Sequence, residues 1–166
     1  MEPGEALGIA AQIAVALAGF AGVVVVFRRE SVHEWSPIDK LRLRLLLANS
    51  ILPLGLCMMG LLLLTIRPVP PAMWRWCSAI EFVVFLVFLV TVSRTFRRLG
   101  GVRKIQREGW STFMLYLFGA LGMATMLLQV YNLALPGAFW PFFAAIVYQL
   151  VTAMAQFARM ILLLPE

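Results

Sequence analysis

Apolar residues fall into five long runs separated by short polar or turn-forming stretches. The runs are Ala6 to Phe27, Leu45 to Ile66, Trp76 to Phe96, Thr112 to Leu133 and Phe139 to Leu163. About 20 apolar residues of α-helix cross ~30 Å of hydrocarbon, and each run is long enough. Lipid offers no water to unpaired backbone groups, so a spanning run of this kind is helical. The pattern predicts an all-α fold, a polytopic transmembrane helix bundle of five helices, with residues 1–166 forming a single transmembrane domain.

The interruptions have the chemistry of helix ends. Arg28 and Arg29 stop the first run at the headgroups, and Trp35 suits an interfacial position. Ser36-Pro37-Ile38-Asp39 is a helix start: serine as cap, proline at the first helical position, and aspartate facing the positive helix end. Pro53 and Gly55 fall mid-run and predict a kink. Arg67-Pro68-Val69-Pro70-Pro71 is a stiff turn, and Trp74 and Trp76 mark the next interface. Gly100-Gly101 breaks the third helix. Val102 to Glu108 is then basic and reads as a loop or a short interfacial helix. Gly109-Trp110-Ser111 returns the chain to the interface, Pro136-Gly137 is a tight turn, and Trp140 marks the entry to the fifth run. The first run is preceded by Glu2 and Glu5 rather than basic residues and is too long for a signal peptide. Small residues recur along it (Gly4, Gly8, Ala11, Ala18, Gly19, Gly22), which predicts close packing on a neighbouring helix.

Composition agrees with lipid as the solvent. Of 166 residues, 62% are hydrophobic, and the mean hydropathy is +0.90. The net charge of +6 would suggest nucleic acid in a soluble chain. Here the basic residues flank apolar runs without an interleaved aromatic stripe, so nucleic acid is not an expected partner. The loops after runs one and three hold Arg28, Arg29, Lys40, Arg42, Arg44, Arg97, Arg98, Arg103, Lys104 and Arg107, with Arg94 just inside. The opposite side holds only Arg67 and Arg75. Positive charge collects on the cytoplasmic side, which predicts the N-terminus outside and the C-terminus inside. Arg28, Arg29, Lys40, Arg42, Arg44, Arg97, Arg98, Arg103 and Lys104 are the expected contacts to anionic lipid.

Candidate chemistry is confined to polar residues within the runs. Glu81 is the only acid inside one. An intramembrane carboxylate is costly unless paired, hydrated or protonated, so it reads either as a proton- or cation-binding group facing a hydrated cavity, or as a structural pair with Arg67 or Arg75 or a protonated interhelical hydrogen bond. Gln12, Gln129, Asn132 and Gln149 fall at a similar depth in other runs. Gln129 and Asn132 share a helix face, which Gly119, Gly122 and Thr125 extend inward. Gln149, Thr152, Gln156 and Arg159 form one face of the fifth helix. Such stripes either line a hydrated ion pathway through Glu81, Gln129, Asn132, Gln149, Gln156 and Arg159, or glue helices together. His33 is the only histidine and has no companion ligands, so no metal is expected. Ser31 and Ser36 lack a histidine and acid constellation, so no nucleophilic catalysis is expected. Cys57 and Cys77 lie at different depths and read as two apolar core residues rather than a disulfide. The nine methionines are scattered and read as packing.

The stretches AGFAGVVVVFRRE, from Ala18 to Glu30, and WSPIDKLRLRLLLANS, from Trp35 to Ser50, resemble a loosely defined set of small uncharacterised bacterial integral membrane proteins. The resemblance covers the first two runs. It implies a bacterial inner-membrane protein and brings with it no activity, cofactor or site. The expectation from sequence is a non-enzymatic membrane subunit that associates with itself or with a larger membrane complex. The alternative is a proton or small-cation channel or transporter. No cofactor is expected.

Overall fold

The computed structural model describes residues 1–27, 37–66, 68, 72–98, 109–135 and 137–162. Arg28, Arg29, Ser31, His33, Trp35, Ser36, Arg67, Pro70-Pro71, Gly100-Gly101, the basic stretch with Arg103, Lys104 and Arg107, and Pro136 lie outside the described residues. The described chain is all-α, with no strand among its residues. Its five helices are α1 (Pro3–Phe27), α2 (Pro37–Thr65), α3 (Met73–Arg98), α4 (Gly109–Ala134) and α5 (Phe139–Leu162). All five are long and apolar enough to cross a membrane, with spanning stretches Pro3–Val23, Asp39–Thr65, Met73–Arg98, Tyr116–Ala134 and Phe139–Met160. Helix ends differ from the expected runs by a few residues. The largest difference is at α2, which includes two basic turns before its apolar span.

Those two turns follow from the helix-start chemistry. Pro37 needs no N–H partner in the first turn, and Asp39 lies close behind it. Arg42 Nη1 donates to Asp39 Oδ1 at 3.4 Å, one turn on. Further along, α2 runs unbroken through Pro53. Proline there removes the N–H that the Asn49 carbonyl would accept. The neighbouring side chains bond backward into their own helix: Asn49 Nδ2 to Leu45 O and Ser50 Oγ to Leu46 O, both at 2.9 Å.

The described helices form two compact units. The first comprises Met1–Pro71 and Ile146–Glu166, so it holds α1, α2 and most of α5. Here α1 packs along α2. The buried residues of α1 are Ala6, Leu7, Ala10, Ala14, Leu17 and Ala21, an alanine-rich stripe at helical spacing that lets backbones approach closely. Gly4 also sits on this contact, with Leu64 Cδ1 3.7 Å from where its Cβ would be. Gly8, Gly19 and Gly22, also expected at close contacts, have nothing within 4 Å of a Cβ. Alanines, with Gly4 at one end, therefore make the contact. Phe20 stacks on Phe157 of α5 at 5.2 Å.

The second unit is Ala72–Ala145, holding α3, α4 and the first turns of α5. α3 packs on α4. Its buried residues are Met73, Cys77, Ser78, Glu81 and Phe85, again at helical spacing. α4 answers with Gly122, Met126, Gln129 and Asn132. Trp74, expected as an interfacial marker, is half-buried and packs against Phe139 at 4.8 Å and Phe142 at 6.0 Å. Trp76 and Trp140 are exposed, at 67% and 56%. Cys57 and Cys77 are free and buried.

Two turn residues hold left-handed backbone: Gly137 at φ 58° and Ala72 at φ 63°. A Cβ at Gly137 would also stand 3.0 Å from Arg75 Cγ and Nε. Gly137→Ala is expected to lower unfolding free energy in mixed micelles by about 1–2 kcal/mol. Ala72→Gly, which relieves the same conformation, is expected to change it by less than about 1 kcal/mol.

Candidate functional site

The polar residues of the second unit converge where α4 ends and α5 begins. The C-terminus of α4 leaves carbonyls without intrahelical donors, and the start of α5 leaves N–H groups without acceptors. Leu135 N donates to Tyr131 O at 3.0 Å, and Gly137 N donates to Asn132 O at 3.1 Å, a six-to-one bond of the kind that closes helices. Arg75 reaches back from α3, and its Nη2 donates to Leu135 O at 2.8 Å. The guanidinium there also meets the negative end of the α4 dipole.

Asn132 does most of the remaining work. Its Oδ1 accepts from Ala138 N at 2.8 Å, and its Nδ2 donates to Ala138 O at 3.0 Å. One primary amide thus pairs with both backbone groups of Ala138, as a neighbouring strand would. The same Nδ2 donates to Ser78 Oγ on α3 at 2.7 Å. Asn132 and Ser78 are both fully buried, at 0% exposure. One turn back along α4, Gln129 Nε2 donates to Pro141 O in the first turn of α5 at 2.8 Å. Proline at that position has no N–H to leave unpaired.

Ser78 lies in the first turns of α3 and bonds the last turn of α4, so the two helices run antiparallel. Three residues forward on α3 and three back on α4 give Glu81 and Gln129, which share one depth. Glu81 is 2% exposed. Gln129 Oε1 is buried and has no hydrogen-bond partner among the described residues. Of the expected pathway residues, then, Glu81, Gln129 and Asn132 belong to one buried layer of the second unit.

The other predicted residues distribute differently. Gln149 and Thr152 are buried in the α5 portion of the first unit, and Gln156 and Arg159 are half-buried. Thr152 Oγ1 donates to Tyr148 O at 2.8 Å, within its own helix. The inward stripe on α4 does not stay buried: Gly122 is buried, Thr125 is half-buried and donates to Gly122 O at 2.8 Å, and Gly119 is exposed. Gln12 is exposed on α1. Among the expected lipid contacts, Arg44, Arg97 and Arg98 are exposed and Lys40 and Arg42 half-buried.

Ser78 and Ala138 were not anticipated as partners, and Arg75, read as one possible partner of Glu81, donates to Leu135 O. Ser78 was detectable, because it sits one turn from Glu81 on the same face. Arg75 and Ala138 required the turn geometry.

The chain matches no protein-family model, no curated protein and no solved structure.

Asn132→Leu strips three hydrogen bonds and leaves both Ala138 backbone groups unpaired. It is expected to lower unfolding free energy by about 2–4 kcal/mol. Ser78→Ala removes one hydroxyl acceptor and is expected to cost about 0.6 kcal/mol. Denaturant titration of both variants in mixed micelles checks the order. Equal effects would mean that the Ala138 pairing contributes little.

Proposed function

We propose that this chain is a non-enzymatic, multi-pass subunit of the bacterial cytoplasmic membrane that associates with itself or with a larger membrane complex. The observation that carries this reading is the use made of the intramembrane polar groups. Asn132, Ser78 and the Gln129 amide nitrogen are spent on joining α3, α4 and the start of α5. Ser50, Thr125 and Thr152 are turned onto carbonyls of their own helices. Groups so committed act as joints between elements and leave little to bind or convert a substrate.

The orientation follows from charge. The N-terminus lies outside and the C-terminus inside, with Arg94, Arg97 and Arg98 at the cytoplasmic end of α3. There they complement the helix dipole and attract anionic lipid; Lys40, Arg42 and Arg44, in the first turns of α2, attract anionic lipid on the same side.

A second reading is favoured by one specific pairing. Glu81, a buried acid, lies level with the unpartnered Gln129 Oε1. A proton or small cation moving through the second unit would use this level, where charge is otherwise costly.

Three measurements test these readings. A thiol placed at position 33 or 104 is expected to resist a membrane-impermeant reagent added outside intact cells and to react after lysis; labelling from outside reverses the orientation. The particle extracted in mild detergent is expected to have a mass above one 18.6 kDa chain plus its detergent. A lone monomer with no co-purifying protein contradicts the subunit reading. Ion flux in proteoliposomes that disappears in Glu81→Gln replaces it with the channel reading.

A further inference from the structure

The joint between α4 and α5 leaves one buried acceptor over. Pro141 offers Gln129 only a carbonyl, so the end of the amide that meets it is Nε2. That contact fixes which way round the amide lies and leaves Oε1 as the end in need of a donor. Gln129 is 0% exposed, and Oε1 has no hydrogen-bond partner among the described residues. The side-chain donors of the joint are used elsewhere. Asn132 Nδ2 serves Ser78 Oγ and Ala138 O, and Arg75 Nη2 serves Leu135 O.

Glu81 stands level with this oxygen on the facing helix and is 2% exposed. Charged and titratable groups around that level are few within the second unit. α4 from Gly122 to Asn132 and α5 from Phe139 to Ala145 carry no charged side chain. Tyr131 is exposed on α4. On α3 itself, Cys77 is a buried thiol one turn outward, and Arg75 lies about 9 Å further out along the helix than Glu81.

We infer that the species held at this level is a proton, carried by the Glu81 carboxyl and donated as O–H to Gln129 Oε1, rather than a metal cation. The inference rests on the second reading above and names the species for it. A hard metal ion takes about six oxygen ligands. This level offers Glu81, Gln129 Oε1 and Ser78 Oγ, while the carbonyls of Leu135, Ala138 and Pro141 each already accept a hydrogen bond. Among the described residues no three or more His, Cys, Asp or Glu come together as a metal site. A proton needs only one donor oxygen and one acceptor, and a carboxylic acid beside an amide oxygen supplies both. Loss of the proton sets a carboxylate against a carbonyl oxygen, so release requires the seam between α3 and α4 to part or to admit water.

The test uses the full chain in lipid vesicles at pH 7. The infrared difference spectrum between the unaltered chain and Glu81→Gln is expected to show the carbonyl stretch of a carboxylic acid. Gln129→Leu, which removes the acceptor, is expected to move that band to higher frequency. Circular dichroism checks that both variants are folded. Should Glu81→Gln unfold, Glu81→Asp, which keeps the acid, is expected to shift the band instead of removing it. Carboxylate bands alone, or a Glu81 signal that changes when sodium replaces potassium in the medium, overturn the proton assignment. An acid band that Gln129→Leu leaves in place overturns the assignment of the acceptor. Proteoliposomes separate this inference from the transport reading beneath it. An imposed pH gradient is expected to decay through the chain, a sodium gradient is expected to persist, and the pH decay is expected to be lost in Glu81→Gln. If the acid band is present and neither gradient decays, the proton is held but not moved: transport fails and the site stands. If a sodium gradient decays and no acid band is seen, transport stands and the proton assignment fails.

Discussion

A primary amide, Asn132, holds together the place where this chain leaves one helix and enters the next. Helix ends free backbone groups, and at this turn between two spanning stretches they find partners within the protein. Between α4 and α5 those groups belong to Leu135, Gly137 and Ala138. Arg75 takes the first carbonyl, the Asn132 carbonyl takes the Gly137 N–H, and the Asn132 side chain takes both groups of Ala138. Its contact with Ser78 ties the same turn to α3. Position, sequence and solvent make one requirement: a short side chain with a donor and an acceptor at the end of α4.

The two units meet the lack of a hydrophobic driving force between helices in different ways. In the first, α1 lies on α2 through Ala6, Ala10, Ala14 and Ala21, where small side chains gain van der Waals contact by proximity. In the second, α3 meets α4 through a mixed seam in which Ser78, Glu81, Gln129 and Asn132 alternate with Cys77, Phe85 and Met126. Directional bonds there set register as well as adhesion. Both solutions leave large apolar side chains such as Leu62, Val87 and Leu127 outward, at 66%, 61% and 65% exposure, as expected of helices whose surroundings are lipid.

The helices were legible in the sequence because apolar run length is a strong signal and because Pro37, Gly100-Gly101 and Pro136-Gly137 punctuate it. Gln129 and Asn132 were legible as one helix face, and Glu81 as a buried acid. What the acid and amides bond was not legible. Hydropathy gives depth along a helix but not rotation about it. Pathway and glue therefore look alike from depth alone, and the bonds from Asn132 to Ser78 and Ala138 depend on a rotation that hydropathy does not give. The same blindness to rotation put the glycines of α1 on its packed face, whereas alanines occupy that face and Gly8, Gly19 and Gly22 stand opposite. Arg75 read as a charge on the outer side and a possible partner of Glu81; its place over the Gly137 turn, where a Cβ would stand 3.0 Å from its side chain, was not legible.

The most direct test of the amide joint is a solid-state NMR distance between the Ala138 backbone nitrogen and the Asn132 side-chain carbonyl carbon in lipid bilayers. The chain would carry labelled alanine nitrogen and asparagine side-chain carbon, with the signal of the Asn132→Leu chain subtracted to remove the contribution of Asn49. A hydrogen bond of 2.8 Å from Ala138 N to Asn132 Oδ1 predicts a separation of about 4 Å. A separation beyond roughly 6 Å, too long for any hydrogen bond between these groups, would contradict it.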